Sequence, residues 1–460
     1  MSHLMKVVLT ASSALLILAL GSASPTYPPA QPLFQEGVCE PAGRSAGAVA
    51  GPIDAPHGLG VAVLEIAAGE EPSGCAPSWR HHAGQVSAAA PRRARMAAFG
   101  ADALRDLLTL TPLLPGEDPP ARVALAGWQP RWRYVWPRDS AHVAAALASS
   151  GDIGRATEVY RFLASVQRHD GTFAARIDVN REPPDDRGDQ AEAVGWYVWG
   201  FAHLLDSVPE GEATAQALWS EFAPSLHRAG AALLAMTESG LPPPSSDYWE
   251  REEDDLTLAT AALTLSGLTA LADLTESGLP LTAADRDLAA AARERAKALR
   301  SHIEYYFGPD YGRYGARSAP DAALAFLLPP YQSEALTGAE DAWWASLSRQ
   351  QIAHTRGYSP GATWRRDGVV WTPETTAHAL VAAHLAIRHA GTPAGQRARG
   401  FALDTLAWVE AHTTAVGAIP EKVAPGGTPS AVAPLAWSAA NAVLALHALD
   451  LPPQAPGTAP

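Results

Sequence analysis

From Met96 onward, apolar residues recur at spacings of three and four, rich in alanine and leucine. Two-residue alternation is scarce. This is the pattern of α-helices that each bury a stripe, and it predicts an all-helical domain. The segments fall at 96–112, 139–150, 152–168, 189–208, 213–238, 254–276, 282–307, 320–332, 339–355, 373–390, 395–413 and 434–450.

The polar positions between these segments divide into two kinds. Connections leaving even-numbered segments are short and plain, such as "SSGD" and "HAGTPAG". Those leaving odd-numbered segments are long and rich in Trp, Tyr, Arg, Asp and Glu: "GWQPRWRYVWPRD", "PPPSSDYWEREED" and "RGYSPGATWRRDGVVWTPE" among them. In an up-down helical array, alternate loops share an end. Six decorated loops are therefore expected on one face, where function tends to sit. Asp139–Ser140, Asp189, Asp254, Asp321 and Thr372–Pro373–Glu374 read as helix starts, which would aim positive helix ends at that face. Six helical hairpins closed into an (α/α)6 toroid, with one polar-rimmed aromatic mouth, fit this rhythm. An open solenoid is the alternative, but the usual repeat motifs are missing.

The first residues follow another rule. Lys6, an apolar run from Val7 to Leu20 and small residues at 21–23 form a secretory signal, so residues 1–23 are expected to be removed and the protein secreted. A Gly/Pro/Ala-rich extension covers 24–92, the catalytic domain 93–452 and a short tail 453–460. Cys39 and Cys75 are the only cysteines. Outside the cell an isolated pair is expected to join as one disulfide, two free thiols being the alternative. A net charge of −14 argues against nucleic-acid and anionic-lipid partners, and stable membrane insertion after signal cleavage is not expected. Fourteen tryptophans offer faces for gripping sugar rings, or ordinary core.

Glu250 lies in the loop after segment five, beside Trp249; Glu421 lies in the loop after segment eleven. Two carboxylates facing across a pocket can cleave a glycosidic bond, one protonating the leaving oxygen and the other activating water or attacking the anomeric carbon. Trp249 is expected to exclude water around Glu250 and so favour its protonated form. In "WPRDS", Arg138 and Asp139 are placed to bond sugar hydroxyls with Trp136 as a wall, although Asp139 also reads as an N-cap and Arg138 as its ion-pair partner.

These stretches resemble the inverting glucoamylase family, glycoside hydrolase family 15. "YVWPRDSAHV" is similar to its "YTWxRDSA" stretch, "SSDYWERE" to its "YDLWEE" general-acid stretch, and "GAIPEKV" followed by "PLAWSAANAV" to its "xxEQ" loop and "LxWSxA" helix. All three occur in family order, and the resemblance covers about 96–450. It implies an (α/α)6 barrel, with Glu250 as general acid and Glu421 as general base. It also implies that Arg138 and Asp139 hold the terminal sugar, that Arg356 lies near the scissile bond, and that Trp136, Trp249, Trp371 and Trp437 are wall aromatics. Arg251, Lys422, Trp132 and Asn441 depart from the family pattern around the expected pocket. The expected substrate is an α-linked oligo- or polysaccharide, and the chemistry calls for no metal or organic cofactor. A trehalase-like or cell-wall glycan hydrolase and a non-catalytic sugar-binding protein are the alternatives. "GYSPG" matches a serine-hydrolase elbow but lacks the strand before it and the helix after it, and "EREEDD" and His81–His82 lack metal-ligand spacing.

Overall fold

The inner helices are buried on nearly every side, as their Ala/Leu runs require. The computed structural model describes residues 30–42, 63–70, 72–76, 79–209 and 213–453. The predicted signal segment and the end of the C-terminal tail lie outside these residues. Eleven α-helices occur among the described residues: α1 Arg92–Leu110, α2 Pro137–Ser149, α3 Ile153–Val166, α4 Glu192–Asp206, α5 Ala213–Met236, α6 Leu258–Asp273, α7 Ala283–Phe307, α8 Ala339–Gln350, α9 Thr372–Arg388, α10 Pro393–Glu410 and α11 Ala436–Ala448.

Helices α2, α4 and α6, a short 3-10 segment Ala322–Leu327, and helices α9 and α11 contact one another in turn, and α11 packs back on α2. Helices α1, α3, α5, α7, α8 and α10 surround this ring. The molecule is an (α/α)6 toroid. Its eighth element is not the helix expected over 320–332. Asp321 caps a single 3-10 stretch by accepting from Ala323 N at 2.8 Å. Pro329 and Pro330 then stop it, since proline offers no N–H and pushes the preceding residue out of the α region. The stretch 258–276 is apolar and long enough to cross a membrane, yet it is an inner-ring element with most of its residues buried.

The barrel axis is filled. The His142 ring lies 4.6 Å from Trp196, 4.8 Å from Trp199 and 5.7 Å from Trp437. Burial holds this imidazole neutral, its pKa pushed down to about 3. Helices α4 and α6 approach through glycines: a Cβ on Gly195 would fall 2.0 Å from the Leu263 carbonyl oxygen.

The extension is folded onto the barrel. β1 (Gln35–Cys39) pairs antiparallel with β2 (Leu64–Ala67), and Cys39 is bonded to Cys75. β1 and the residues before it run along the loop between α10 and α11: Phe34 N donates to Ala431 O at 2.9 Å, and Ala431 N to Pro32 O at 3.0 Å. That loop carries β4 (Lys422–Val423) and β5 (Pro429–Ser430), which form a three-stranded sheet with β3 (Val370–Trp371). Opening the disulfide frees a 36-residue separation. The double substitution Cys39→Ser, Cys75→Ser is expected to cost about 2–4 kcal/mol, read as a lower denaturant midpoint. An unchanged midpoint would mean that the cross-link does not restrain the extension.

Candidate active site

One cavity of about 680 Å³ opens at the end of the barrel where the inner helices begin. Residues from five of the six decorated loops line it; the sixth, 308–321, works behind the wall. Its floor is the start of α2. Arg138 is buried, 3.2 Å from Asp139, 3.9 Å from Glu192 and 3.5 Å from Glu250, with its guanidinium 4.5 Å above the Trp437 ring. Burial opposes its charge, but Asp139, Glu250, Glu192 and Glu374 together outweigh that, and the guanidinium is held more firmly protonated than usual. Asp139 sits in the first turn of α2 rather than at the N-cap, which is Trp136. Two other expected caps also shift, α4 being capped at Ala191 and α6 at Thr257, whose side chain accepts from Thr260 N, while Asp321 caps as expected.

The carboxylates around Arg138 outnumber it. Burial pushes Asp139 up to about 6, against the pull of Arg138. Glu374, in the first turn of α9, is pushed up to about 8 by burial. Glu192, in the first turn of α4, is raised by burial and by Asp247. In the sequence Glu374 shows only as a helix-start signal, and nothing in the sequence marks Glu192.

Glu250 is held from below. Asp247 is fully buried; its Oδ1 accepts from Trp249 N at 2.9 Å and its carbonyl from Glu250 N at 2.7 Å. Arg313, also buried, donates to Asp247 Oδ1 at 2.9 Å, to Asp321 Oδ2 at 2.7 Å and to Glu253 Oε1 at 2.7 Å. Its guanidinium stacks 3.7 Å from the Trp249 ring. Glu250 itself adopts a left-handed backbone, φ 54°, a conformation costly for a non-glycine residue. The expected dry setting for Glu250 is not found. Its side chain is 32% exposed, Arg187 donates to Oε2 at 2.7 Å, and the Trp249 indole is engaged by Arg313, Arg251 and Trp364.

Glu421 is 9% exposed. Trp132 Nε1 donates to its Oε1 at 3.2 Å, and Lys422 Nζ lies 3.1 Å from Oε2, in line for an ion pair but not for a hydrogen bond. β4 fixes the backbone: Glu421 N donates to Val432 O, and Thr372 N to Glu421 O. The extension reaches this corner, with Phe34 packed 5.8 Å from Trp132 and Lys422 Nζ donating to Gln31 Oε1 at 3.3 Å.

Trp136, Trp249, Trp371 and Trp437 all border the cavity, and Trp364 joins them. All five indole N–H groups are buried without a hydrogen-bond partner among the described residues. Arg356 is exposed and lies outside the lining; the same loop sends Arg365 to the cavity instead. Of the departures noted in sequence, Trp132 lines the cavity. Arg251 turns away to Glu253 and Tyr314, and Asn441 is buried against Pro373 O.

No family model matches the chain, and no curated protein matches it. Its fold is similar to solved structures. A glycosidase variant in complex with glucose aligns with TM-score 0.61 and 18% identity over 78% of this chain and 98% of its own. Glucoamylase from Saccharomycopsis fibuligera aligns with TM-score 0.55 and 12% identity over 72% of this chain and 88% of its own. Family 15 glucoamylase from Hypocrea jecorina aligns with TM-score 0.52 and 13% identity over 73% and 68%.

Two outcomes follow from the buried charges. Arg313→Met strands Asp247 and Asp321 without their counter-ion and is expected to cost about 3–5 kcal/mol; a variant of wild-type stability in urea would refute this role. Glu374, raised to about 8, keeps its proton in the folded chain over a range where the unfolded chain has lost it. Its contribution to stability therefore falls as pH climbs from about 4.5 to about 8 and is level above that. Glu374→Gln should remove this slope; unfolding midpoints that run parallel for the two proteins across that range would show an ordinary carboxyl.

Proposed function

We propose that this protein is a secreted, exo-acting glycoside hydrolase that removes the terminal sugar from the non-reducing end of α-linked oligosaccharides with inversion. The observation that carries the reading is that Glu250 and Glu421, on separate loops, border one cavity walled by tryptophans. The fold shared with glycosidases and glucoamylases, and the order of the three motifs, support it. Indole faces cover the apolar faces of a sugar ring, while Arg138 and Asp139 meet its hydroxyls. The aromatic plug around His142 blocks passage along the barrel axis, so a chain enters only by its end. This favours exo cleavage.

In the proposed step, Glu250 gives its proton to the glycosidic oxygen as that bond breaks. Glu421 takes a proton from a water that attacks the anomeric carbon from the opposite face. Trp132 holds Oε1 of Glu421 and Lys422 sits against Oε2, so the attacking water must displace one of these contacts. Arg187 holds Glu250 Oε2, and the leaving oxygen must displace it. Arg138 and Asp139 grip the terminal sugar at the floor.

An NMR time course with maltose, isomaltose, trehalose, maltotetraose and dextran tests the reaction. The expected first product is the β-anomer of the released sugar. Release of the α-anomer first would replace inversion by retention, and no release from any donor would sink the hydrolase reading. Glu250→Gln and Glu421→Gln should each lower kcat by about a thousandfold with unchanged circular dichroism. Full turnover in either variant would remove that residue from the mechanism.

A further inference from the structure

Five arginines line the cavity: Arg131, Arg138, Arg176, Arg187 and Arg365. The chain that gathers them has a formal net charge of −14. Three are committed to carboxylates. Arg138 meets Asp139 and Glu250, Arg176 meets Asp185, and Arg187 meets both Asp185 and Glu250.

The other two are not. Arg131 and Arg365 are exposed, and among the described residues neither has a side-chain hydrogen bond or a carboxylate within ion-pair distance. Arg365 is braced by stacking 4.9 Å from the Trp364 ring. The two come from different loops, 111–136 and 351–371, and both face the same cavity.

Their chemistry is poorly matched to a neutral sugar alone. Hydroxyls are served by groups that both donate and accept, whereas guanidinium only donates and carries a full charge. Its planar fork matches carboxylate, sulfate and phosphate oxygens. The surroundings add to the positive potential. Helices α2, α4, α9 and α11 all begin at this end of the barrel, presenting their positive ends. Two of the four lining carboxylates, Asp139 and Glu374, are buried in the floor, where burial favours their neutral forms. The depth of the cavity, with Arg138 and Asp139, takes the terminal sugar. The exposed rim, with Arg131 and Arg365, takes the sugars that follow.

We propose that the sugar chain entering this cavity is anionic, and that Arg131 and Arg365 bind a carboxylate, sulfate or phosphate on the leaving-group side of the scissile bond. The inference rests on the glycosidase reading of the same cavity and narrows its substrate class.

Isothermal titration of the purified protein with matched α-linked tetrasaccharides tests it. One ligand is neutral. The others carry a carboxylate, a sulfate or a phosphate on the second sugar from the non-reducing end, and the tightest of them names the oxyanion. At low salt the best anionic ligand is expected to bind about tenfold or more tightly than the neutral one. That advantage should shrink several-fold in about 0.5 M NaCl. In Arg131→Gln, Arg365→Gln the anionic-to-neutral affinity ratio should fall to about one. Equal affinities for the wild-type protein at low salt overturn the proposal, as does a preference that survives in the double variant. Binding is read apart from turnover. A protein that hydrolyses neutral oligosaccharides and shows no anion preference loses this inference and keeps the glycosidase reading. One that binds the anionic ligand selectively and hydrolyses neither keeps the site and loses the reaction.

Discussion

A guanidinium cannot be buried alone; leaving water costs an ion several kcal/mol, which only close opposite charge and hydrogen bonds offset. Arg138 sets that requirement at the centre of the molecule. Its neighbours come from α2, α4, the α5–α6 loop and α11: Asp139, Glu192 and Gln190, Glu250, and the Trp437 face. None of these elements moves without disturbing the compensation of one charge. The assembled carboxylates exceed the single cation they serve; burial draws Asp139, Glu192 and Glu374 toward protonation, and neighbouring carboxylates add to it. The floor of the cavity is thus rigid and close to electrically balanced, while its rim is not.

The same solution recurs one layer behind. Arg313 gathers Asp247, Asp321 and Glu253 under the turn that presents Glu250. This explains how a glutamate persists in a left-handed conformation: its neighbours are tied by a buried ion cluster and by the Tyr248 hydroxyl, which bonds Asp321 and Pro360. On the opposite wall Glu421 depends less on charge and more on backbone pairing. It sits at the edge of the β3–β4–β5 sheet and is backed by the extension through Phe34 and Gln31. The two carboxylates are therefore supported by different physics, ionic on one side and strand pairing on the other.

Much of this was legible in the chain because helices advertise themselves by period. The twelve segments and the sorting of loops into plain and decorated needed only that period and connection length. The eighth element differs because Ala322–Leu328 has helical composition, while Pro329–Pro330 directly after it end the stretch as a 3-10 segment. Other misses concern direction. Beside Glu250 in sequence, Trp249 suggests a wall that dries it, but which way an indole turns is decided by Arg313, 64 residues downstream in another loop. Arg356 and Arg365 are equivalent to a sequence reading; backbone conformation in a long irregular loop chooses between them. Gln31 and Phe34 lie in a stretch without helical period and gave no signal, because their partners at Trp132 and Lys422 are fixed only by the tertiary fold.

One regularity joins sequence to site. Asp139, Glu192 and Glu374 each occupy the first turn of an inner-ring helix, α2, α4 and α9. A carboxylate there is favoured by the free N–H groups and by the positive end of the helix. In a soluble helix this is an ordinary stabilising pattern. In a toroid whose inner helices start at one end, it gathers three acids close to one opening. They need a cation among them, and Arg138, beside Asp139 in the first turn of α2, provides one. The up-down topology thus generates a polar, charge-dense floor from local helix rules alone. What remains for the loops is to add the groups such rules cannot supply: two reachable carboxylates, the indole walls, and the arginines at the rim.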